Sequence, residues 1–175
     1  LLFPNDKDLH VCPETIYRYV YRSPQRDYLI STLRKKRKRR RKRRKGILKR
    51  GGIKNKVSIH QRPNYVYNRE EFGHWEGDLI IGKGQQSAMA TLVERSSRYL
   101  ILIPLTARNS KTVVNAFIEV FSNLPGYMRK SLTYDQGSEM AEHERLKDKI
   151  GIDVYFADAG KPQQRGTNEN TNGLI

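Results

Sequence analysis

From residue 74 onward the apolar positions alternate between two rhythms. Residues 74–82 (HWEGDLIIG), 88–94 (AMATLVE) and 99–105 (YLILIPL) are short apolar runs separated by brief polar gaps. That spacing predicts three strands meandering as antiparallel hairpins. Residues 110–124 switch period: Val113, Val114, Ala116, Phe117, Val120, Phe121 and Leu124 fall at helical spacing, and Ser110 stands where a cap belongs. Residues 131–135 (SLTYD) return to strand, 139–150 read as helix, 153–157 (DVYFA) form a fifth strand, and 167–175 begin another helix. Three strands in series followed by alternating helix and strand predict an α/β fold, a mixed five-stranded sheet flanked by helices.

Upstream, residues 1–33 read as short helices. Pro13 suits the first turn of a helix running through Thr15 and Tyr19, because its missing N–H is not needed there. Ile16 and Val20 are four apart and share the face expected to be buried. Thr15, Arg18, Tyr19 and Arg22 then point elsewhere, as the groove-facing helix of a helix-turn-helix requires. A small helix packed only on its own neighbour has the same pattern. Residues 46–73 form a connector punctuated by Gly46, Gly51, Gly52 and Pro63, and Val57-Ser58-Ile59 has the makings of a brief strand.

Charge divides the chain more sharply than hydropathy does. Residues 1–70 hold 22 Lys/Arg against 5 Asp/Glu, whereas residues 71–175 hold 12 against 13. Residues 34–45, which include Arg37, Arg40 and Arg43, are twelve consecutive Lys/Arg. Such a block repels itself and is expected to be disordered when free. Duplex DNA carries one negative charge per ~1.7 Å of axis, so binding here releases counterions and is salt-dependent and blind to sequence. The expected organisation is a partial helix-turn-helix segment over 1–33, a basic linker over 34–56 and a globular core over 57–175. The lone cysteine, Cys12, excludes an internal disulfide and a four-cysteine zinc site. No apolar stretch approaches the ~18 residues of a membrane span. The start, Leu1-Leu2-Phe3-Pro4, lacks the features of a signal peptide and an initiator Met, so the chain is expected to begin mid-protein in a reducing cytosol.

Two acids accompany apolar strands: Asp78 in EGDLIIG and Asp135 in SLTYDQGSE. A carboxylate beside a buried run is costly unless paired, hydrogen-bonded or bound to metal. The first and fourth strands of this topology lie side by side, so their acids can converge. Glu169, in the first turn of the last helix, can close over the same edge. The spacing is 56 residues between the first two acids and 33 between the second and third. Three converging carboxylates repel unless cations bridge them. Magnesium (or manganese) suits oxygen ligands and keeps positions open for phosphate and water. Two such ions ~3.5–4 Å apart activate an attacking oxygen and stabilise a leaving one. Taken singly, each acid has an ordinary alternative: a strand-end turn former for the aspartates, a helix N-terminal charge for Glu169.

Residues 73–82 (GHWEGDLIIG), 91–99 (TLVERSSRY), 131–142 (SLTYDQGSEMAE), 153–158 (DVYFAD) and 164–174 (QRGTNENTNGL) resemble the bacterial insertion-sequence-thirty family of DDE transposases. The similarity covers most of 57–175 and extends to 11–21 (VCPETIYRYVY), like the end of that family's helix-turn-helix. The resemblance implies a ribonuclease-H-like fold, with Asp78, Asp135 and Glu169 as catalytic and metal-binding triad. It also implies DNA cleavage and strand transfer without a protein-bound intermediate, on insertion-sequence terminal repeats and target DNA. The complete protein is expected to be a homo-oligomer, cytoplasmic and nucleoid-associated. Arg165 is suited to hold a phosphate bidentately or to take a salt-bridge partner, and Gly166 to let backbone come close. Asn168, Asn170 and Asn172 can donate to phosphate or base, or cap a helix. Trp75 reads as core and His74 as structural, while Glu76 and Glu139 add negative charge around the metals.

Two departures from that family bear on activity. Gln163 occupies a position usually held by Trp, where it is expected to weaken packing or DNA stacking. The chain also ends at Ile175, six residues past Glu169, which is expected of a truncated copy. A helix of about nine residues is marginal without tertiary support. A catalytically inactive remnant that only binds DNA, and a basic RNA-binding protein, are the alternatives.

Overall fold

A computed structural model describes residues 11–33, 36–38, 53–85 and 87–175. The chain divides into two compact units, Leu1–Leu48 and Lys49–Ile175. In the first, helix α1 (Pro13–Arg22) starts with proline where expected and is followed by α2 (Arg26–Thr32). Val20 and Ile30 are buried, whereas Ile16 is 52% exposed, so the expected Ile16–Val20 face is half right. Among the described residues, each of these short helices buries one apolar side chain.

The second unit is a six-stranded sheet in the order β1-β6-β5-β2-β3-β4, not the five strands expected. Its strands are β1 (Val57–Ser58), β2 (His74–Ile81), β3 (Ala88–Glu94), β4 (Leu100–Leu105), β5 (Ser131–Tyr134) and β6 (Asp153–Phe156). The additional strand, β1, is two residues long and pairs parallel with β6. β2, β3 and β4 form the predicted antiparallel meander, while β5 runs parallel to both β2 and β6. Pro104 stands in the outermost strand, β4, opposite Met89. A proline lacks the ladder donor and is tolerated at such an edge.

The helices of this unit are α3 (Tyr65–Asn68), α4 (Ser110–Ser122), α5 (Glu144–Ile150) and α6 (Gly166–Asn172). α4 buries the predicted stripe: Val113, Val114, Phe117 and Phe121 are fully buried against Trp75, Leu132 and Tyr134. Its cap is Asn109 rather than Ser110. The Asn109 side chain accepts from the Thr112 N–H at 2.9 Å, while the Ser110 hydroxyl accepts from the Glu142 N–H at 2.7 Å. Trp75 meets Phe121 edge-on at 5.6 Å, and its indole N–H donates to the Met128 carbonyl at 2.6 Å. Gly77 is required by close approach, since a Cβ there would lie 2.7 Å from the Tyr134 ring.

Candidate active site

Successive side chains of a strand point to opposite faces. On β2, Trp75 and Gly77 face α4, and Glu76 and Asp78 face α6. The β2–β5 ladder pairs Glu76 with Thr133. Carried two residues further, the same register sets Asp78 beside Asp135, just past the end of β5. Each aspartate is held by a short local bond: Asp78 Oδ1 accepts from the Leu79 N–H at 2.9 Å, and Asp135 Oδ1 from the Gly137 N–H at 3.0 Å.

α6 lies along β2 with matched pitch. Asn168 bonds to Glu76, and Asn172 donates through Nδ2 to Asp78 Oδ2 at 3.2 Å. Four helical residues rise about 6 Å and two strand residues about 6.6 Å, so the helix meets the strand at both points. Glu169, in the first turn of α6, is thereby carried to the same sheet edge.

The three acids converge on one cation. Arg165 Nη1 lies 3.4 Å from Asp78 Oδ1, and Nη2 lies 3.5 Å from Asp135 Oδ2 and 3.9 Å from Glu169 Oε1. Nη1 also donates to the Gly77 carbonyl at 2.7 Å. The Arg165 side chain is only 6% exposed, against 23%, 44% and 46% for the three acids. Burial alone would lower its pKa; the charges of Asp78, Asp135 and Glu169 reverse this and raise it. Among the described residues no three His, Cys, Asp or Glu side chains form a ready-made metal cage. The carboxylates are gathered around the guanidinium instead.

Arg165 is positioned from outside by a clip. The Asp158 N–H donates to Gln164 Oε1 at 2.7 Å, and Gln164 Nε2 returns the bond to Asp158 Oδ2 at 3.0 Å. Lys161 and His60 meet the same carboxylate at 2.9 and 3.0 Å. Their hydrogen bonds, Lys161 foremost, hold Asp158 well below the usual carboxylate range. On the other side, burial pushes the Glu139 carboxyl up, and the charges of Asp135 and Asp78 add to the shift.

The remaining expected site residues fare unequally. Asn168, expected to face DNA, is instead fully buried, with its amide turned to the Glu76 carbonyl and Thr91, so it ties helix to sheet. Asn172 is partly buried and engaged with Asp78. Gly166 has helical dihedrals and open space where a Cβ would stand, so no contact within the chain requires a glycine there. Gln163 is exposed. His74 is buried on Ser131 Oγ at 2.7 Å, and Trp75 is core, as read. Thr15, Arg18, Arg22 and Arg37 are exposed in the first unit, while Arg40 and Arg43 lie outside the described residues. Sequence reasoning missed Arg95, Asp158 and the structural use of Gln164. All three lie within the quoted motifs; Arg95 and Asp158 were signalled by a charge just past an apolar run, and Gln164 by nothing but its place beside Arg165.

Among the described residues no helix is long and apolar enough to cross a membrane. The chain is 46% identical over 99% of its length to the transposase for insertion sequence element IS1086 of Cupriavidus metallidurans, covering 52% of that protein. It is 44% identical over 98% of its length to transposase InsI for insertion sequence element IS30A of Escherichia coli, covering 46%. It thus spans about half the length of these curated relatives. A chain of the simian T-cell lymphotropic virus intasome in complex with PP2A regulatory subunit B56 gamma shares the fold. That match has a TM-score of 0.53 at 17% identity, over 60% of this chain and 38% of that one. The mixed sheet is therefore ribonuclease-H-like, with β2 and β5 at its centre, Asp78 on the first and Asp135 just past the second. The integrase core domain model matches residues 68–162, more than half of the sequence, and the chain belongs to that family.

Proposed function

We propose that this chain carries the catalytic part of a transposase that cleaves DNA at insertion-sequence ends and joins it to target DNA. The observation that carries this assignment is the convergence of Asp78, Asp135 and Glu169 within 3.9 Å of one guanidinium, from three separate elements. Carboxylates are the hard oxygen donors that magnesium or manganese selects. Asp78, Asp135 and Glu169 would hold two divalent ions, which when bound supply Lewis acidity at the attacking and leaving oxygens.

The chain's own groups do the rest. Arg165 keeps the acids together and places positive charge where a DNA phosphate approaches. Asn172 fixes the orientation of Asp78 through Oδ2. Thr15, Arg18 and Arg22 are proposed to face a DNA groove, and the basic run to track phosphates beside it. The substrate is double-stranded DNA, the terminal repeats and the target, handled by a homo-oligomer at the bacterial nucleoid.

The test is metal-dependent nicking of supercoiled plasmid by the 175-residue chain and its D78N, D135N and E169Q variants. The parent should nick in magnesium or manganese, and each variant should lose nicking while still binding duplex DNA. Undiminished nicking by D135N, or DNA binding by the parent without any nicking, would refute the assignment.

A further inference from the structure

The helix that bears Glu169 has a poor start of its own. α6 has seven residues, and the residue before it, Arg165, provides no side-chain cap. The first N–H groups of a helix have no partner within it and need acceptors from elsewhere. One is the Asn168 N–H, and its acceptor is Oε2 of Glu76, 2.9 Å away and 92 residues earlier. A second tie joins the same two residues, from Asn168 Nδ2 to the Glu76 carbonyl at 2.9 Å.

Glu76 is 1% exposed, and a buried carboxylate is costly unless paired. Its other oxygen takes the Arg95 Nε–H at 2.9 Å. Arg95, also buried, spends a further donor on the Val66 carbonyl. Glu76 therefore uses one oxygen for charge balance and the other to hold the helix. Asn168 is followed directly by Glu169 in sequence.

Resting on the assignment of Glu169 as the third metal-holding acid, we propose that Glu76, charge-balanced by Arg95, is a positioning residue for the metal site. It caps α6 through Asn168 and so fixes Glu169 against Asp78 and Asp135. Glu76 itself faces the interior and meets neither ion nor DNA.

The E76Q variant retains size but turns an NH2 donor toward either the Arg95 Nε–H or the Asn168 N–H, which now bond to separate oxygens of Glu76. N168A keeps the Glu76–Arg95 pair and removes one tie. Manganese binding to the full chain by titration calorimetry, with plasmid nicking against manganese concentration, reads both variants after circular dichroism has established folding. E76Q should weaken manganese affinity and raise the nicking midpoint by about tenfold. Activity should be recovered at saturating metal, with duplex binding unchanged. N168A should shift both in the same direction by less, and it serves as the probe should E76Q not fold. Folded variants with lowered melting temperature but the parent's manganese affinity would overturn the proposal. E169Q separates the two levels. If it too leaves manganese binding intact, the triad assignment fails; if it abolishes binding while E76Q and N168A do not alter it, only the role of Glu76 fails.

Discussion

Arg165 reaches Asp78 through the same Nη1 that donates to the carbonyl of Gly77, the residue before it. The guanidinium is thus anchored on backbone and balanced on acids, and its removal would take a donor from the Gly77 carbonyl and the shared cation from the acids.

R165A should therefore destabilise the metal-free chain by about 2 kcal/mol, the cost of an unpaired buried acceptor and of partly buried acids facing one another. The estimate is modest because the acids are 23–46% exposed and water screens them. Magnesium should restore more stability to R165A than to the parent, because only a cation relieves the repulsion left behind. Urea denaturation with chelator and with magnesium checks this. An equal magnesium effect in both proteins would mean that the acids do not interact through Arg165.

N172A should lose the bond to Asp78 Oδ2. The expected cost is on the order of 1 kcal/mol in stability and about tenfold in metal-dependent nicking. A rate equal to that of the parent at limiting metal would show that Asp78 needs no orienting partner.

Glu139 gives a pH signature. Burial, with Asp135 and Asp78, raises its carboxyl above the ordinary value in the folded state. The folded chain therefore binds this proton more readily than the unfolded one. That contribution is fully present below the ordinary carboxylate pKa and is lost as pH rises through the raised value. E139Q should melt higher than the parent at neutral pH, and the difference should close on acidification below the ordinary carboxylate range. A gap that does not vary with pH would rule out a buried charge at this position.

F121A tests the core beneath the site. Phe121 is fully buried against Trp75 and α4's own stripe, so truncation should cost about 3–5 kcal/mol. A loss below 1 kcal/mol in chemical denaturation would mean that α4 is not packed on the sheet as described.

Deletion of residues 34–45 should flatten the salt dependence of duplex binding. The logarithm of affinity falls with the logarithm of salt in proportion to the phosphates neutralised, at about 0.9 per contact. An unchanged slope would remove the basic run from the DNA interface.

Much of this was legible before any coordinates, where a residue's role follows from its period. The β2–β3–β4 meander and the α4 stripe are pattern features, and the adjacency of Asp78 and Asp135 follows from strand order. β1 was legible as a brief strand at Val57-Ser58 but not as a sixth member of the sheet, because two residues carry no period and their place is set by long-range pairing with β6. The cap of α4 fell on Asn109 and not its neighbour Ser110, since either side chain can serve and only the turn geometry chooses. Asn168 was read as DNA-facing because it flanks Glu169. One helical step rotates a side chain about 100°, enough to turn one residue into the sheet and leave the next at its edge. The centrality of Arg165 was not readable either, because a buried guanidinium is tolerated only once three distant acids have assembled around it.

The outer strand β4 carries Pro104 in its row of backbone groups. A strand arriving alongside would find a donor missing there and a ring in its path, so the sheet is a poor template for growth on that side. Any contact between two such chains is thereby steered away from the β4 edge and toward helices and loops, and the proline guards the sheet against edge-to-edge fusion.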